Sequence, residues 1–123
     1  MTTPSPLRAL MLGAPGSGKG TQGRRLAARF GVPHLSTGEL LRHHVRDRTP
    51  LGVAAQDDMR RGDLIADELV IAMVLDELGR PHASGGYVLD GFPRTVPQAT
   101  AAYDAALAEG LTARAVIFLD IPY

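Results

Sequence analysis

Gly13-Ala14-Pro15-Gly16-Ser17-Gly18-Lys19-Gly20-Thr21-Gln22 follows the apolar run Leu7-Arg8-Ala9-Leu10-Met11-Leu12 and precedes residues of helical periodicity. Strand, glycine-rich turn and helix in that order make a grip for phosphate. Glycines let successive N–H groups converge on anionic oxygens, the helix N-terminus adds partial positive charge, and a lysine supplies a mobile cation. Lys19 is the only lysine among 13 basic residues. An ammonium kept where arginine serves everywhere else points to a need for a compact point charge. The chain is therefore expected to bind a nucleotide, with Gly16, Ser17, Gly18, Lys19, Gly20 and Thr21 around its phosphates. The general template G-x-x-x-x-G-K-[ST] is met from Gly13 to Lys19, after which Gly20 takes the hydroxyl position and Thr21 comes one place late. That hydroxyl ordinarily ligates Mg²⁺, so metal is expected to be held by substrate oxygens, water and a carboxylate from elsewhere.

The 123 residues amount to about one small domain, and 13 acidic residues balance the 13 basic ones. No broad charge invites nucleic acid, so any anion site must be local. With no cysteine, a disulfide framework and a thiolate metal site are excluded, which fits a reducing compartment. The segment Met1-Thr2-Thr3-Pro4-Ser5-Pro6 is short and polar, and the apolar run after it is too brief for a signal sequence or a membrane span. A cytoplasmic chain without membrane association is expected.

Beyond the first strand and a helix over 19–30, whose inner face should carry Leu26, Ala27 and Phe30, comes a short extended piece at 32–36. Ser36 or Thr37 should cap a helix running through Leu40 and Leu41, with Glu39 in the capping-box position. Thr49-Pro50 opens another helix toward Arg61 and Gly62. Asp67 is expected to cap a third, whose core stripe runs from Leu69 to Leu78 before Gly79 and Pro81. Tyr87-Val88-Leu89-Asp90 reads as a strand ending in a carboxylate before Gly91-Phe92-Pro93-Arg94-Thr95, then a helix over 96–109 and an apolar strand over 115–121. Strands apolar throughout and alternating with helices predict an α/β fold, a parallel sheet of four strands covered on both faces. Ligands bind at the carboxyl ends of such strands, which is where Asp90 falls. His43 and His44 lie beside Arg42 and Arg46 without a carboxylate or cysteine cluster, and are expected on solvated helix surface. So are Arg24, Arg25 and Arg29.

Four separated segments together resemble the adenylate kinase family of P-loop nucleoside monophosphate kinases. They are Gly13 to Gln22; Leu35-Ser36-Thr37-Gly38-Glu39-Leu40-Leu41-Arg42; Gly62-Asp63-Leu64-Ile65-Ala66-Asp67-Glu68-Leu69-Val70; and Leu89-Asp90-Gly91-Phe92-Pro93-Arg94-Thr95 with Gln98. The resemblance implies a P-loop NTPase-type domain whose residues 36–65 form a small helical insertion over the monophosphate. It implies Mg²⁺-dependent transfer between ATP and AMP to give 2 ADP. Lys19, Arg94 and Asp90 would be catalytic. Thr37, Gln98, Gly91 and the backbone of Asp63, Leu64 and Ile65 would line the AMP site, and Arg42 and Arg94 would take its phosphate. Asp90 would organise the water shell of Mg²⁺, with Glu39 a weaker candidate better read as a cap. These residue types suit the tasks, since an amide pairs with one base edge and guanidinium forks match phosphate. Thr37 with Gln98 favours AMP over pyrimidine monophosphates.

Family members extend past the strand near Ile121 with a mobile lid and further phosphate-binding arginines. Transfer depends on cations and on water exclusion, so a chain with only Lys19, Arg42, Arg94 and Mg²⁺ is expected to turn over weakly. An apolar edge at the last strand is expected to invite self-association, whereas full-length relatives are expected to be monomeric. The chain reads as a shortened product of a full kinase or as a half completed by another chain. A non-catalytic nucleotide-binding module and a kinase for another monophosphate stay open.

Overall fold

Why the apolar runs form one sheet is visible in their parity. The computed structural model describes residues 6–14, 16–80 and 85–120. In chain order the elements are β1 (Arg8–Gly13), α1 (Lys19–Phe30), β2 (His34–Ser36), α2 (Thr37–Arg46), α3 (Pro50–Arg60), α4 (Asp67–Leu78), β3 (Tyr87–Asp90), α5 (Val96–Ala108) and β4 (Ala115–Leu119). The strands form a single parallel sheet in the order β2-β3-β1-β4. This is the expected α/β architecture with helical insertions. Alternate side chains take opposite faces. Ala9, Met11 and Val88 face α1 and pack with Ala27, Leu26, Ile117 and Leu119. Leu10, Leu35, Tyr87 and Leu89 face the other way, onto Val74 and Leu78 of α4.

Helix starts are set locally. Ser36 Oγ accepts from Glu39 N at the head of α2, Thr49 Oγ1 from Gly52 N at 3.0 Å at the head of α3, and Thr95 Oγ1 from Gln98 N at the head of α5. The expected Asp67 cap is corrected: Ala66 occupies the N-cap of α4, and Asp67 is its first helical residue. Its carboxylate turns away from its own helix and accepts from Gln98 Nε2 at 3.0 Å.

Further expectations are corrected by packing. Phe30 is 55% exposed, because α1 ends there and the chain turns at Gly31 before the sheet continues. His44 is only 4% exposed. The turn between α2 and α3 folds over it, and its Nδ1 shares a 2.6 Å hydrogen bond with Thr49 Oγ1. His43 does stay on the surface, as do Arg24, Arg25 and Arg29, but His43 has a carboxylate neighbour in Asp47 at 3.3 Å. The sheet is better covered on the α1 side, where Ala115, Ile117 and Leu119 of β4 are half-buried. On the other, Val116 and Phe118 of β4 are 60% and 64% exposed, and α5 buries no residue completely. A cavity of about 530 Å³ lined by residues such as Leu10, Val74, Tyr103 and Val116 separates α4 and α5 from this edge. β4 ends at Leu119; Ile121, with Pro15 and Pro81, lies outside the described residues.

Candidate active site

The carboxyl ends of β1 and β3 bring together segments far apart in sequence. Met11 is in register with Asp90, and Asp90 with Ser36. The loop after β1 turns through Gly16 and Gly18 at φ 81° and 84°, a left-handed conformation that a side chain would strain. Gly18 is the N-cap of α1 and offers no side chain there, so the first N–H groups of that helix keep open space for an anion. Ser17 Oγ is buried and has no hydrogen-bond partner among the described residues.

Lys19, the first residue of α1, pairs through Nζ with Asp90 Oδ1, and both side chains are largely buried. A Cβ built on Gly20 would stand 3.8 Å from Asp90 Oδ2. The position where the general loop places a hydroxyl therefore looks at this carboxylate. Asp90 has a second neighbour that sequence reasoning missed. His34 Nε2 lies 3.6 Å from Asp90 Oδ2, buried and without a hydrogen-bond partner among the described residues. No local motif marks it. Register does, because Ser36 is opposite Asp90 and His34, two residues earlier on β2, shares its face.

Two cavities flank this point. The first, about 350 Å³, is lined by Gly13, Lys19, Gly91, Arg94 and Phe118 among others. Arg94 is held against it by an Nε donation to Gly91 O at 2.8 Å. The second, about 180 Å³, lies between α2, α4 and the start of α5, and takes in Thr37, Ile65, Asp67, Phe92 and Gln98. They adjoin at Gly91, where a built Cβ would meet Thr37 Oγ1 at 3.0 Å and Arg94 at 3.7 Å. The larger apolar cavity beyond α4 holds none of the sequence-predicted site residues, and its lining suits no phosphate.

Of the sequence-predicted residues, Lys19, Gly91 and Arg94 thus converge on one cavity, and Thr37, Ile65 and Gln98 on the other. Arg42, Asp63 and Leu64 line neither. Arg42 folds back along α2, its guanidinium 3.4 Å from where a Cβ on Gly38 would stand. Asp63 pairs with Arg61 at 3.2 Å, which pushes the Arg61 guanidinium above its ordinary range. Leu64 is 95% exposed. Glu39 is exposed on α2. Among the described residues no group of three or more His, Cys, Asp or Glu converges as a metal cage. A lone carboxylate beside a phosphate loop suits a hard ion that keeps its waters and takes phosphate oxygens as ligands. No helix among those residues is long and apolar enough to cross a membrane.

Comparison with known proteins agrees with this geometry. Residues 11–123 match the family model described as adenylate kinase. The chain is 43% identical over 116 residues to an adenylate kinase of Lachnospira eligens and 45% identical over 117 residues to one of Carboxydothermus hydrogenoformans, covering 94% of this chain and 54% of each relative. With an adenylate kinase of Gloeobacter violaceus the identity is 48% over 116 residues, 94% of this chain and 52% of the relative. The chain spans about half the length of these curated relatives. A match that begins inside β1 and runs through the loop, both cavities and β4 covers every element that builds the site, and the chain belongs to the adenylate kinase family.

Proposed function

We propose that this chain binds ATP and AMP in adjoining sites and serves the Mg²⁺-dependent reaction ATP + AMP ⇌ 2 ADP. The observation that supports this most is the convergence of Lys19, Gly91 and Arg94 on one cavity beside a second that takes in Thr37 and Gln98. In the forward direction an AMP phosphate oxygen bonds to the γ-phosphorus of ATP as the bond to the bridging oxygen of the leaving ADP breaks. Gly16, Ser17, Gly18, Gly20 and Thr21 hold the ATP phosphates, with the Ser17 hydroxyl supplying a donor. Lys19 exchanges Asp90 for an anionic oxygen as phosphate enters, and its charge follows the transferring group. Arg94 takes the AMP phosphate, and Arg42 joins it by swinging out from α2. Thr37 and Gln98 read the base, the backbone of Asp63, Leu64 and Ile65 closes over it, and Gly91 leaves room for the phosphate.

Asp90 would hold Mg²⁺ through water, the ion neutralising β- and γ-phosphate oxygens. Residues 36–65, which hold α2 and α3, form the part that moves onto the monophosphate. A cytoplasmic setting is proposed with this, in keeping with a chain that holds no cysteine.

The test is ADP formation from ATP and AMP with Mg²⁺, with Lys19→Ala as the blank for contaminating kinase. Turnover above the blank is the expected result. Saturable AMP and ATP binding without turnover would make the chain a nucleotide-binding module. Turnover with another monophosphate in place of AMP would reassign the substrate.

A further inference from the structure

Gln98, in the first turn of α5, has both ends of its amide engaged. Its Oε1 accepts from the Arg94 N–H at 2.8 Å, and its Nε2 donates to Asp67 Oδ1 at 3.0 Å. A backbone N–H has only a proton to give and a carboxylate only lone pairs, so the amide fits one way round. Reversal would set NH₂ against N–H and carbonyl against carboxylate, and lose both bonds. Asp67 reaches Gln98 from a helix 31 residues away in sequence. Its carboxylate is free to do so because Ala66 holds the N-cap of α4. Both residues line the 180 Å³ cavity with Thr37.

An amide has two donor hydrogens and two acceptor lone pairs, so one of each is left for a ligand. On its Watson–Crick edge adenine offers an N6 donor beside the N1 acceptor, the pattern an amide reads in two bonds, whereas guanine places the O6 acceptor where adenine has its donor and an N1–H donor where adenine has its acceptor. For Gln98 to read guanine on that edge, its amide must turn over. We propose that Asp67 is a specificity-determining positioning residue: by holding Gln98 Nε2 it fixes the amide in the sense that accepts adenine and turns guanine away. The inference rests on reading this cavity as the monophosphate site.

The experiment is calorimetric titration of AMP, GMP and ATP into the parent, Asp67→Leu and Asp67→Ala, each checked by thermal melting. The parent prefers AMP to GMP. In both variants that ratio falls by about tenfold, the scale of one charge-assisted hydrogen bond, while ATP affinity is unchanged. Asp67→Leu is close in size to the parent side chain but offers Gln98 no acceptor, and it carries the test alone if Asp67→Ala fails to fold. An unchanged ratio overturns the inference and leaves the functional reading intact. So does an equal loss of AMP and GMP binding, which would make Asp67 merely structural. A parent that binds neither AMP nor GMP overturns the functional reading, and the inference falls with it.

Discussion

Gly52→Ala isolates the contact that sets α2 against α3. Gly52 sits in the first turn of α3, and a Cβ there would stand 2.0 Å from His44 O, 2.3 Å from His44 C and 2.8 Å from Val45 N. Ordinary contact begins at 3.4 Å, so the two helices must part by about 1.4 Å, the difference between 3.4 and 2.0. The obstacle is backbone, with no rotamer to yield. Two effects oppose. Alanine favours the helix by about 1 kcal/mol over glycine, and overpacking costs about 3 kcal/mol at the upper end of its usual range. The clash wins, leaving a net loss of about 2 kcal/mol against a total stability of roughly 6–18 kcal/mol for a chain of this length. Urea unfolding followed by circular dichroism measures it, with Gly38→Ala as control, since the atoms nearest a Cβ there belong to the Arg42 and Ser36 side chains, which can move. The control is expected within about 1 kcal/mol of the parent. Because α2 carries Thr37, Gly38, Leu40 and Leu41 into the smaller cavity, Gly52→Ala should also weaken AMP more than ATP. If the variant is as stable as the parent and binds AMP as well, the packing argument fails.

Arg94→Ala should weaken AMP by about 10- to 100-fold, the scale of a hydrogen-bonded charge facing phosphate, and leave ATP nearly unchanged; equal losses for both nucleotides in calorimetry would sink the assignment. Tyr87 gives a pH test. Burial raises its phenol above the ordinary value of 10.0, and its hydroxyl donates to Leu111 O at 2.7 Å. The folded-state value lies above the unfolded one, so the contribution to stability is complete below pH 10 and is lost as pH rises through the folded-state value. Tyr87→Phe should cost about 1 kcal/mol at neutral pH, and the gap to the parent should narrow in alkaline denaturant titrations; a gap that holds constant would refute the burial account.

The parts of this fold that could be read in the sequence are those decided within a few residues. The loop before Lys19 is spelled by its glycines, and Ser36 and Thr49 announce the helices they cap. Tyr87–Asp90, apolar up to its carboxylate, is the strand its pattern predicts. What could not be read was decided by how one element meets another. His44 beside Arg42 and Arg46 looks like surface, and only the turn of α2 onto α3, with Thr49 returning to its ring, buries it. Asp67 precedes a helical run and reads as a cap until α5 arrives with Gln98. The apolar exposure of Val116 and Phe118, by contrast, is what the resemblance to longer kinases implies for the last strand.

Two polar residues that local sequence does not place, Asp67 and His34, lie at or beside the candidate site: Asp67 lines the smaller cavity, and His34 stands 3.6 Å from Asp90. An apolar core needs only the right pattern and volume. A polar group away from water needs a partner at hydrogen-bond distance, and local sequence seldom names that partner. Asp90 shows the consequence. On a strand otherwise made of Tyr87, Val88 and Leu89 it costs stability unless opposed, and Lys19 opposes it from the other side of the glycine loop. The same pairing holds the Lys19 ammonium beside the glycine loop, so substituting Asp90 alone would unsettle that loop. The contacts Asp67–Gln98 and Lys19–Asp90, which no local motif names, are thus among those that hold the candidate site in shape.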